Sequence, residues 1–269
     1  MSDSASVFCP NSAAAEVAQL GSTVLRSAWP RDQLAILRSA IARLDAIHAE
    51  AVTSGTAEQL VRMYHTHGAG TFNMLLAGGL LDDSFLPTLF KGSAYERLCQ
   101  AYYDDDEFWM QPVRCAFRIH DPLKSNRSFI PFHQDSGSQY EWLRLVMNCW
   151  IPLDSGAGRD APGLEVVRTP STPGYPLKEI ALTENAVYDR ITIDPLRVEA
   201  EFGAERLAPE FEVGDGFAFS QDVIHRTYVT PQMTQPRMNF EFRVFSPKGL
   251  VPGVSIDQVR HHCVRLTWG

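Results

Sequence analysis

The feature of this chain that most limits its possible folds is a change of hydrophobic period near residue 108. Before it, apolar residues recur at helical spacing; after it, they alternate in short runs bounded by Gly, Pro and Asp. The first part predicts a helix over 12–28 closed by Trp29-Pro30, and a longer one over 32–52 with Leu34, Leu37, Ile41, Leu44 and Ile47 on one stripe. A third helix over 54–67 is broken by Gly68-Ala69-Gly70, and a fourth over 84–103 is closed by the acidic run Asp104-Asp105-Asp106-Glu107, which reads as a solvated cap. The second part predicts strands over 109–120, 145–153, 164–167, 217–220, 223–230 and 238–245, while 170–210 reads as a long excursion with short strands such as 190–193. Helices first and many short strands afterwards give a mainly β chain with N-terminal helices, an α+β class, arranged as a sandwich or barrel braced by helices. One domain over 1–269 is expected: a mostly helical scaffold over 1–108, a β core over 109–246 carrying the 170–210 insertion, and a C-terminal tail over 247–269.

Charge narrows the function. A formal net charge of -8, with no cluster of Lys and Arg, argues against nucleic acid or an anionic membrane as partner, and a small-molecule substrate is expected instead. The five cysteines are scattered with no C-x-x-C pair, the N-terminus lacks a signal-peptide pattern, and no apolar stretch reaches the length of a membrane span. A cytoplasmic protein is the expectation.

Chemistry concentrates in Phe132-His133-Gln134-Asp135-Ser136. In an extended chain residues i and i+2 project to one side, so His133 and Asp135 present an imidazole and a carboxylate together. Alone, such a tripeptide is a weak signal, common in loops, and reads as a solvated turn. A third group is available at His225, and two histidines with one carboxylate form the facial set by which non-haem iron oxygenases hold Fe(II) with positions left open. Thr227 lies on the same side of its strand as His225. The chain then turns through 231–236 and returns as a strand beginning at Arg237, which a hairpin sets beside them. Such an oxygenase needs a co-substrate that chelates the iron; 2-oxoglutarate does so and leaves a distal carboxylate, which a guanidinium and a neighbouring hydroxyl can hold. Arg237 and Thr227 are the expected anchor, against an ion pair between Arg237 and Glu241. In Arg237-Met238-Asn239-Phe240-Glu241-Phe242-Arg243, which alternates polar and apolar, the Arg237 side is expected to face the interior, and Met238, Phe240 and Phe242 to pack on the helices. The alternatives are a zinc hydrolase and a non-catalytic cupin-like barrel that binds zinc or a small ligand at the same three residues.

Pro131-Phe132-His133-Gln134-Asp135, Asn148-Cys149-Trp150-Ile151-Pro152-Leu153-Asp154, Gly163-Leu164-Glu165-Val166-Val167, Gly214-Asp215, His225 and Arg237 occur in the order of the phytanoyl-CoA dioxygenase family, which the chain resembles over roughly residues 110 to 246. The resemblance implies a double-stranded β-helix (jelly-roll, cupin-like) core, Fe(II) held by His133, Asp135 and His225, and 2-oxoglutarate held by Arg237 and Thr227 with Gln134 and Trp150 near it. It also implies consumption of O2, release of succinate and CO2, and oxidation of an unactivated C–H bond. Hydroxylation is the default outcome; related halogenases lack the carboxylate that Asp135 supplies, so its presence argues for hydroxylation, desaturation or ring chemistry. Two stretches depart from the family: Arg168-Thr169-Pro170-Ser171 stands where a Pro-Gly-Ser-His turn is common, and the N-terminal helices and the 170–210 excursion match nothing in it. Both fall where substrate selection is expected. His120 is a candidate substrate contact, and Arg118, Arg127, Tyr140, Trp142 and Arg144 are candidates for the pocket mouth. His65, His67, His261 and His262 lack metal-site spacing and are expected to be ordinary histidines.

Overall fold

The computed structural model describes residues 8–54, 84–123, 129–135, 142–170, 174–176 and 192–267. Helix α1 (Pro10–Leu20) is shorter than its apolar spacing predicts, because Gly21 takes a left-handed φ of 75° and donates its N–H to Val17 O. The β-branched run after it forms strand β1 (Ser22–Leu25) instead. Helix α2 (Arg31–Ser54) has the predicted extent, with Leu34, Leu37 and Ile41 buried but Ile47 exposed. The expected fourth helix is two, α3 (Phe85–Phe90) and α4 (Ala94–Tyr103). Gly92, with φ of 75°, breaks the run, and the Ser93 hydroxyl restarts it by accepting from Glu96 N at 3.0 Å. The helix expected over 54–67, with His65 and His67, lies outside the described residues apart from Ser54, the last residue of α2.

Pro112 divides the strand expected over 109–120 into β2 (Trp109–Met110) and β3 (Ala116–His120), with a 3-10 turn between them. Then come β4 (Met147–Pro152) and β5 (Gly163–Val167). The described end of the 170–210 excursion is a helix, α5 (Pro195–Phe202), and residues 192 and 193 are not strand. The helix is capped by Asp194, whose side chain accepts from Leu196 N, with Pro195 in the first turn. Strands β6 (Arg206–Leu207), β7 (Gly216–Ser220), β8 (His225–Tyr228) and β9 (Arg237–Phe245) complete the core. In the C-terminal segment, a short helix α6 (Ile256–Val259) precedes β10 (Val264–Arg265), which pairs with β2 at the sheet edge.

Among the described residues the strands form two antiparallel sheets. The larger runs β1-β7-β4-β9-β2-β10, with β3 also on β9; the smaller runs β6-β5-β8. The chain is thus an antiparallel, sheet-rich α+β protein. All six residues of β4 are buried because both faces of the larger sheet are covered. On one face Met147, Cys149 and Ile151 join Phe240, Phe242 and Val244 in the main core with Leu34, Leu37, Tyr95 and Leu98 of the helices. Met238 packs at its edge, so the expected apolar side of β9 does meet the helices. Tyr95 and Tyr103 anchor α4 to the sheet by donating to Met147 O at 2.7 Å and Val244 O at 3.1 Å. The other face carries Asn148 and Trp150 of β4 opposite Arg243 and Glu241 of β9.

Gly216 of β7 lies beneath the Trp29 ring, where an added Cβ would come within 2.3 Å of Cζ3. We therefore expect Gly216→Ala to cost about 1–3 kcal/mol, seen as a lower thermal midpoint; an unchanged midpoint would mean that this ring packs elsewhere.

Candidate metal and co-substrate site

Backbone pairing assembles the site. Residues 130–135 run antiparallel along the segment 221–227: Thr227 N donates to Ile130 O at 2.9 Å, His133 and His225 exchange two bonds at 3.0 Å, and Asp135 N donates to Gln221 O at 3.0 Å. On its other edge β8 pairs with β5, with Val166 opposite His225 and Leu164 opposite Thr227. The smaller sheet thereby presents His133, Asp135, His225 and Thr227 to a cavity whose opposite wall is the polar face of β4 and β9. This cavity is lined also by Arg118, His120, Trp150, Arg237, Glu241 and Arg243.

The two imidazoles are set by the same local device. Each Nδ1 lies against the carbonyl two residues back, His133 on Pro131 O at 2.8 Å and His225 on Val223 O at 2.9 Å. A carbonyl only accepts, so each Nδ1 carries a proton and Nε2 is the ring atom left for a metal. His133 Nε2 is 3.8 Å from Asp135 Oδ1, and one ligand atom from each of His133, Asp135 and His225 lies within 4.8 Å of the other two. Among the described residues no other His, Cys, Asp and Glu group is arranged this way. Burial, with the neighbouring His225, pushes His133 down to about 3, so its ring is neutral at ordinary pH. Burial alone would raise the Asp135 carboxyl, but the Arg243 guanidinium and the two imidazoles outweigh it and hold that group well below the usual carboxylate range. Two imidazoles and one carboxylate are a donor set suited to a divalent first-row metal.

Arg237 lies in the same cavity and is 1% exposed. Its Nε donates to Pro162 O at 2.6 Å, Nη1 to Asn239 Oδ1, and Nη2 meets His120 Nδ1, while its guanidinium carbon sits 4.9 Å from the Trp150 ring centre. All three polar partners are uncharged. The sequence alternative, an ion pair with Glu241, is not formed: Glu241 pairs with Arg118 at 3.3 Å and accepts from Asn239 at 2.9 Å. Burial pushes the Arg237 guanidinium below its usual range. A buried cation among neutral acceptors on a cavity wall is suited to an incoming carboxylate. Thr227 Oγ1 accepts from Ile130 N at 3.1 Å, which leaves the hydroxyl proton to donate.

The remaining candidates divide. His120 is 3% exposed and lines the cavity beside Arg237, and Arg118 lines it as well. Gln134 does not line it; its amide donates to Asp222 O and accepts from Tyr175 N at 2.8 Å. Trp142 packs on Phe245 at 5.6 Å and Arg144 is exposed. Arg127 and Tyr140 lie outside the described residues, and so does the side chain of His262; His261 is exposed. Sequence reasoning passed over Arg243 and Asn148 as site residues. The parity of β9 marks Arg243 as facing the same way as Arg237, and Asn148 shares the parity of Trp150 on β4.

No protein-family model matches the chain, and no curated protein matches it in sequence. Solved structures do match in fold. AviO1 from Streptomyces viridochromogenes covers 92% of this chain over 99% of its own, at 15% identity and a TM-score of 0.53. EvdO2 from Micromonospora carbonacea var. aurantiaca, solved with 2-oxoglutarate, covers 87% and 90% at 16% identity and 0.54. SnoK, a non-haem α-ketoglutarate-dependent carbocyclase from nogalamycin biosynthesis, covers 93% and 89% at 11% identity and 0.55. The chain therefore has the fold of non-haem, 2-oxoglutarate-dependent enzymes, the same group its motifs resemble. Among the described residues no helix is long and apolar enough to cross a membrane.

His133 binds its proton in the unfolded chain near pH 6.5 but in the folded chain only near 3. Its contribution to stability is therefore complete above about pH 6.5 and is lost as pH falls from there towards 3. Metal-free protein should lose stability across that window by an amount on the order of a few kcal/mol, and His133→Gln should flatten the fall. Equal slopes in urea unfolding of the two proteins would contradict the buried neutral ring.

Proposed function

We propose that this chain is an Fe(II)- and 2-oxoglutarate-dependent oxygenase with a double-stranded β-helix (jelly-roll) core. It hydroxylates an unactivated C–H bond of a small metabolite or natural-product intermediate and releases succinate and CO2. The observation that carries this reading is the presence, in one cavity, of a His-Asp-His cluster and a buried arginine that donates to Pro162 O, Asn239 Oδ1 and His120 Nδ1 and, among the described residues, to no carboxylate. A zinc hydrolase would use the three ligands and a water but has no need of that arginine. The likeness of fold to EvdO2, solved with 2-oxoglutarate, supports the same reading.

When bound, ferrous iron and 2-oxoglutarate supply, together with O2, the oxidising power for the C–H bond. The rest is the work of the chain. His133, Asp135 and His225 are the residues that would hold the metal. Arg237 would hold the distal carboxylate of the co-substrate by charge-assisted hydrogen bonds, and the Thr227 hydroxyl would donate to it. Trp150, against the guanidinium, keeps water from that contact and so strengthens it. Gln134 acts at one remove, its amide joining the loop at Asp222 to residue 175 around the metal-binding segment. Asp135 fills the third protein position, which favours oxygen insertion over halide transfer. SnoK, of the same fold, is a carbocyclase; the ligand set argues against halide transfer only, and hydroxylation is proposed as the default outcome among hydroxylation, desaturation and ring chemistry.

Anaerobic addition of Fe(II) and 2-oxoglutarate should give a weak visible absorption band, and Asp135→Ala should abolish both the band and succinate formation. Tight zinc binding with no such band, or a fully active Asp135→Ala variant, would overturn the assignment. Arg237→Met should raise the KM for 2-oxoglutarate by about 10- to 100-fold and remove the thermal stabilisation that 2-oxoglutarate with Co(II) confers on the wild type.

A further inference from the structure

Asp135 uses its two oxygens differently. Oδ2 accepts from Asn148 Nδ2 at 2.8 Å and from Arg243 Nη2 at 2.9 Å. Oδ1 is the oxygen that lies 3.8 Å from His133 Nε2, on the side of the ligand cluster. A carboxylate oxygen offers two lone pairs, and the two donors match them on Oδ2. Both donors are themselves fixed. Arg243 and Asn148 are cross-strand partners on β9 and β4, and the second terminal nitrogen of Arg243, Nη1, donates to Arg114 O at 2.7 Å in the turn between β2 and β3. The amide of Asn148 is turned with its nitrogen towards Asp135 although this leaves its own Oδ1 buried and without a partner. A residue selected only for stability would not orphan that oxygen.

We propose that Arg243, seconded by Asn148, is a positioning residue that makes Asp135 a one-oxygen ligand. The proposal rests on the metal reading above. Its chemical sense lies in the number of positions around an octahedral metal. Three protein ligands at one position each leave three open, enough for a chelating co-substrate and one further ligand. A freely rotating carboxylate can close on the metal with both oxygens and remove one of them. The clamp prevents this by holding Oδ2 in hydrogen bonds that would have to break first. Arg243 does not touch co-substrate or substrate in this role; it acts through Asp135.

The test uses the full chain, freed of metal, with Co(II) alone as the probe, because the visible bands of Co(II) report coordination number. Wild-type protein should bind one Co(II) per chain with the weak bands of a six-coordinate ion. Arg243→Met should raise the Kd for Co(II) by about 10- to 100-fold and change the band intensities, whereas Arg243→Lys, which keeps one charged donor, should recover part of both. A wild-type Kd and spectrum in Arg243→Met, or a lowered thermal midpoint of the metal-free variant as the sole change, would overturn the proposal while leaving the metal site intact. Wild-type protein that takes up no Co(II) would instead remove the metal reading itself, and the clamp with it. Should Arg243→Met not fold, Asn148→Ser and Arg243→Lys decide: unchanged Kd and spectrum in both would overturn the clamp, and weakened binding with altered bands would support it.

Discussion

Everything at the site depends on a few backbone hydrogen bonds between the segment 130–135 and the strand that holds His225. The mutual pair between His133 and His225 sets the two imidazoles beside each other, with ring centres 4.1 Å apart. The bond from Asp135 N to Gln221 O then fixes where the carboxylate arrives. These are ladder bonds in all but name, so the ligands inherit the rigidity of a sheet although 130–135 is otherwise a loop. A slip of one residue in this pairing would turn His133 and Asp135 to the far side and leave His225 alone.

Strand β9 is the second organising element. Its alternation divides two chemistries between two faces: Phe240, Phe242 and Val244 carry the main core, while Arg237, Asn239, Glu241 and Arg243 project to the cavity side. A run of buried polar groups in the middle of a sheet is expensive unless each is bonded. Here they bond to one another and across the sheet, Arg237 to Asn239, Asn239 to Glu241, Glu241 to Arg118, and Arg243 to Asp135. The apolar face, anchored by Tyr95 and Tyr103 from helix α4, is what allows the polar face to be held this way.

Much of this was legible in the sequence, for physical reasons that can be named. The i, i+2 spacing of His133 and Asp135 and the strict alternation from Arg237 onward are local signals, and local signals survive into the structure. The boundaries that were misplaced each involve a single residue overriding a periodic pattern: Gly21 ends α1, Gly92 with Ser93 divides the helix over 84–103, and Pro112 divides the strand over 109–120. Helix α5 was hidden because charge and proline around it masked an Asp-Pro start. The partners of Arg237 could not be read at all, since Pro162 and His120 reach it only through tertiary pairing. Glu241, its nearest acid by strand parity, is instead held by Arg118.

That last arrangement has a consequence for discrimination among small acids. A guanidinium buried among uncharged acceptors gains most from a ligand that brings a full negative charge to it, and gains nothing from one that binds at the metal and stops short. On the proposed reading, a 2-oxo acid lacking the second carboxylate can still chelate, yet it leaves Arg237 as unbalanced as before. On that reading the site would disfavour pyruvate-like molecules through an energy they fail to relieve, with no need of a steric barrier.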